Sequence, residues 1–73
     1  MMPSRPLPTR GGRVRIWHFG GEAQAGTILE VRDGGRSLLV AAASGETLEF
    51  TLRRVSASFV ARGERETPYL ELR

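Results

Sequence analysis

From Gly12 to Arg53 the chain is written in short apolar segments separated by glycine-bearing polar turns, and this punctuation limits its fold more than any other feature. Val14-x-Ile16 comes first. A polar loop leads to Gly26-Thr27-Ile28-Leu29-Glu30-Val31, and two further apolar segments are set off by Asp33-Gly34-Gly35 and Ser44-Gly45. Short apolar runs bounded by Gly, Asp and Ser read as strands joined by hairpin turns. The expectation is a small all-β barrel of five to six antiparallel strands.

Arg13-Val14-Arg15-Ile16-Trp17-His18-Phe19 alternates apolar and polar residues and suits a first strand. Gly20 opens a loop to Ala25, and Gly26–Arg32 follows as a second strand. There Ile28 and Val31 fall on opposite parities, which predicts a bulge or strong coiling. Leu38-Leu39-Val40 and the alanines after them suit a central third strand. Thr47-Leu48-Glu49-Phe50-Thr51-Leu52 is the cleanest alternation, with Leu48, Phe50 and Leu52 expected inside. Val55–Ala61 and Tyr69–Leu72 complete the set. A rival reading makes residues 46–62 one amphipathic helix, because Leu48, Leu52, Val55 and Phe59 also fall at helical spacing. The β-branched Thr47, Thr51, Val55 and Val60, with Ser56 and Ser58, argue for strands.

At 73 residues there is room for one domain, and a chain this short buries only about 60% of its unfolded surface. With no cysteine, neither a disulfide framework nor a thiolate metal site is available. Residues 1–12 hold Pro3, Pro6 and Pro8 and show no apolar period, so they read as a flexible basic arm before a single barrel domain at 13–73. The arm lacks the apolar run of a signal peptide, and no segment reaches membrane-spanning length; the expected location is cytoplasmic, with no membrane partner.

Charge is uneven. Residues 1–15 carry Arg5, Arg10, Arg13 and Arg15 without an acid, whereas the rest balances seven arginines against eight acids. All eleven basic residues are arginine, which fits bidentate phosphate recognition and equally fits a GC-rich genome.

Val14-x-Ile16, nine residues, then Gly26-x-Ile28-x-x-Val31 resembles the KOW motif of SH3-like barrels in NusG-type transcription factors and several ribosomal proteins. The likeness extends over about residues 12–55, where Ser37–Ala43 and Leu48–Leu52 match the third and fourth strands of a NusG-like C-terminal domain. It implies an SH3-like barrel and favours a nucleic-acid partner. The loop from Trp17 to Ala25 departs from the ribosomal pattern, having no basic residue other than His18 and one acid, Glu22.

No pattern carries catalysis. His18 is the only histidine and has no nucleophile or carboxylate placed for it by a motif. No cofactor or metal is expected, since one histidine and scattered acids do not make a ligand set. The glycine pairs at 11–12, 20–21 and 34–35 are turn chemistry rather than phosphate cradles. The expected role is binding. Arg13, Arg15, Trp17 and Phe19 share one parity, and with Arg10 they form the candidate nucleic-acid surface, phosphates to arginine and bases to rings. Trp17 and Phe19 equally suit closing one end of the barrel, since a small domain uses its largest side chains for burial. The alternative function is a protein-interaction or assembly module. A homo-oligomer paired through open edges at the first and last strands is expected as readily as a monomer.

Overall fold

Period-two alternation becomes a two-sided strand in β1 (Arg13–Trp17), where Val14 and Ile16 are buried while Arg13, Arg15 and Trp17 point outward. The computed structural model describes residues 8–53, 58–64 and 68–72. Five more strands follow: β2 (Ala23–Arg32), β3 (Ser37–Ala42), β4 (Thr47–Arg53), β5 (Ser58–Ala61) and β6 (Tyr69–Leu72). Each pairs antiparallel with the next, and β6 returns to β1, closing an all-β, SH3-like barrel of six strands. The β4–β5 pairing settles the region around residues 46–62 in favour of strands. Residues 54–57, including the expected strand start at Val55, lie outside the described residues.

The interior is filled from every strand. Val14, Ile16, Ile28, Leu38, Val40, Phe50, Phe59 and Leu70 form one cluster, with Phe50, Ile16, Leu38 and Val40 wholly shielded from water. Full burial of a side chain of this size contributes about 1.5–3 kcal/mol. Gly26 faces this cluster. A Cβ there would lie 3.0 Å from methyl groups of Val14, Ile16 and Val40 at once, so the position is glycine because three strands converge on it. The predicted irregularity in the second strand is a bulge: Ile28 pairs with Val40 and Glu30 with Leu39, leaving Leu29 extra and exposed.

Four expectations change. The second strand starts at Ala23 rather than Gly26, because Gly20 and Gly21 take positive φ (95° and 86°) and turn the chain early. Phe19 therefore leaves the first strand. Leu52 is 41% exposed instead of core, since it lies one residue past the last β3–β4 pair, Ser37 with Thr51. The first and last strands are not open edges: Val14 to Trp17 pair with Leu72 to Tyr69, so strand addition finds no free ladder there. On the arm side, Gly11 N–H donates to the Ile28 carbonyl (2.7 Å) and Ile28 N–H to that of Gly12 (2.9 Å), fastening the chain to β2 before β1 begins.

Candidate nucleic-acid interface

Closure of β6 onto β1 builds the outer face that matters. Register sets Trp17 beside Tyr69 and Arg15 beside Glu71. The two rings stack side by side, centroids 6.4 Å apart and planes within 15°. Arg15 holds its guanidinium 5.8 Å from the Trp17 ring centroid, within cation–π range. Glu71 anchors both neighbours: Trp17 Nε1–H donates to its Oε1 (3.2 Å), and Arg15 Nη1 lies 3.6 Å from the same oxygen. An ion pair this exposed contributes at most about 1 kcal/mol, so its main effect is to fix ring and guanidinium in place.

The rings do not close the barrel. Neither Trp17 nor Phe19 belongs to the interior cluster, and Tyr69 is 38% exposed. Phe19 is 90% exposed at the tip of the β1–β2 loop. That loop is ordered by its own bonds, His18 N–H to the Glu22 carbonyl (2.7 Å) and Gly21 N–H to the His18 carbonyl (3.2 Å).

Of the five candidate residues, Arg13, Arg15 and Trp17 form one row along the outside of β1. Arg13 is exposed, with no carboxylate in ion-pair range among the described residues. Beside this row Ala25, Thr27, Ala41 and Ala43 floor a shallow trough with Arg13 and Arg15 along its β1 side. Arg10 is set apart, beyond the start of β1 and near the bulge. There Arg32 donates to Glu30 (3.0 Å) and holds that carboxyl below its usual range, with a smaller contribution from Arg10. Phe19 is set apart at the opposite end. Sequence reasoning missed Tyr69 and Glu71. Their alternation with Leu70 and Leu72 marks them as outward-facing, but nothing local says that β1 is their neighbour.

Among the described residues no group of three or more His, Cys, Asp or Glu is placed to hold a metal ion, and no helix is long and apolar enough to cross a membrane. Compared with known proteins, the chain matches no family model, no curated protein and no solved structure.

Proposed function

We propose that this chain is a non-catalytic cytoplasmic binding module whose β1–β6 outer face takes single-stranded nucleic acid weakly and without sequence preference. The observation that supports the reading is the pair of stacked rings, Trp17 and Tyr69, held outside the core and flanked along β1 by Arg15 and Arg13. Trp17, the one tryptophan, is half-buried on the outer side of the sheet rather than packed in the core, so part of its ring stays accessible. Ring faces on a sheet with cations beside them are the elements by which unpaired bases and phosphates are held, and every base has a π-face to offer. The resemblance to KOW barrels belongs to the same reading, with Gly26 facing Val14 and Ile16 across the first hairpin.

Anisotropy of a labelled single-stranded oligonucleotide tests it. Binding should be measurable at low salt and fall with a log–log slope of about −0.7 for each phosphate engaged. Replacing Arg13 and Arg15 with glutamine should lower both affinity and slope. No binding to single-stranded DNA or RNA at low salt would remove this function. The competing role, a protein-interaction module, is favoured by one separate observation, the near-complete exposure of Phe19 on an ordered loop.

A further inference from the structure

The stacked rings occupy only one flank of β1. On its other flank the register aligns Arg13 with Thr27 and Ala41, and Arg15 with Ala25. The outward positions there are all small, Ala25 and Thr27 on β2, then Ala41 and Ala43. Sheet stability does not ask for this. Alanine is a poor strand former, and an outward methyl gives its cross-strand neighbours little to pack against. What the small residues do is lower the surface, leaving a trough of about 590 Å³ beside the long Arg13 and Arg15 side chains. Sites that hold small organic molecules span roughly 300–1,000 Å³, so a sugar–phosphate unit has room.

Floor and wall differ in chemistry. The backbone of the floor is already paired, Gly26 with Ala42 and Thr27 with Ala41, and Ala43 N–H donates to the Ala25 carbonyl (2.9 Å). An added peptide strand would find no ladder to join. The ionisable groups that line the trough are Arg13 and Arg15, and no carboxylate lies among the lining residues. Arg13 has no ion-pair partner among the described residues, and the carboxylate that Arg15 meets, Glu71, belongs to the ring side. Methyl groups below and guanidinium groups alongside suit a chain with C–H faces and repeated anions, which is the chemistry of a nucleic-acid backbone.

We propose that this trough takes the sugar–phosphate backbone of the strand whose bases lie on Trp17 and Tyr69. The inference rests on the ring-face reading and adds a path to it. The strand crosses β1 instead of running along β6, with sugars over Ala25 and Ala41 and phosphates on Arg13 and Arg15. Arg15 is the junction, since it lines the trough and also sits 5.8 Å from the Trp17 ring centroid. Ala41 and Ala43 are then specificity-determining through their size, because the backbone must come close to the sheet.

Uncharged filling of the trough tests this. Ala41→Leu and, separately, Ala43→Leu add bulk two strands away from β1 and leave every charge in place. Anisotropy of a labelled thymidine homopolymer at low salt should show several-fold weaker binding to each, with the β spectrum retained. Ala43→Arg should do the opposite, strengthening binding and steepening the log–log salt slope by about 0.7 for one more phosphate held. A misfolded variant cannot produce that gain. If the wild type binds and Trp17→Ala weakens it while all three trough variants behave as wild type, the trough is empty and this proposal alone falls. If the wild type does not bind, the ring-face reading falls and takes this one with it. Polyglutamate bound as tightly as the homopolymer, and equally weakened by Ala41→Leu, would overturn the proposal by making the trough a site for acidic peptide.

Discussion

The two faces of β1 obey different rules although they alternate within five residues. Val14 and Ile16 point inward and are almost fully buried, and their surroundings follow from the requirement that a closed barrel be filled. Arg13, Arg15 and Trp17 point outward, and their arrangement depends on whichever strand lies alongside. On one side that strand is β2, and on the other it is β6, whose Tyr69 and Glu71 come from the far end of the chain. The inner face is thus set by local period, the outer face by long-range closure. Substitutions inside should cost stability, and those outside should change binding while the fold persists.

The largest effect is expected inside. Phe50→Ala removes a wholly buried ring and should cost about 3–5 kcal/mol, a large share of the stability of a domain this size; chemical denaturation monitored by circular dichroism measures it. An unchanged midpoint would mean that the inner face is not what holds the barrel. Gly26→Val should follow, at about 1–3 kcal/mol, because even a single added carbon meets three methyl groups at 3.0 Å. Wild-type stability in that variant would show that the three strands can separate there.

Outside, the expected changes are in binding. Trp17→Ala should lose about 1–3 kcal/mol of single-strand affinity with the β spectrum retained. If the spectrum collapses with the affinity, the ring is structural and the two faces are not independent. Glu71→Gln makes the sharper distinction: it frees Arg15 from its carboxylate, so affinity should rise and the salt dependence steepen, at a stability cost of no more than about 1 kcal/mol. Unchanged affinity would mean that the β1 face does not meet phosphate.

The smallest effect concerns the Glu30–Arg32 pair on the bulge. Its carboxyl is held below the ordinary range, so what it adds is present above the unfolded carboxylate pKa and lost as pH falls through the lower folded value. Both side chains are exposed, so Glu30→Gln should change acid stability less than any substitution above.

How much of this was legible in the sequence follows the same division. The barrel, the bulge between Ile28 and Glu30 and the interior position of Phe50 were readable because period two and its interruption are local. Leu52 was misread because parity says which way a side chain points and not where the neighbouring strand stops pairing. Phe19 was misread because parity was carried through Gly20 and Gly21, where the chain turns. Tyr69 and Glu71 were left out of the site because only the β1–β6 register brings them there, across a sequence separation of 54 residues for Trp17 and Glu71.

Trp17 is the only tryptophan in the chain, so its fluorescence reports on the outer face alone. The most direct measurement is its emission during titration with a short single-stranded oligonucleotide at low salt. Saturable quenching that added salt reverses is the expected result, since a base stacked on the ring quenches it and the phosphates that accompany it are salt-sensitive. An emission that stays constant while anisotropy shows the oligonucleotide bound, or no binding by either readout, would contradict the claim that the rings on β1 and β6 hold nucleic acid.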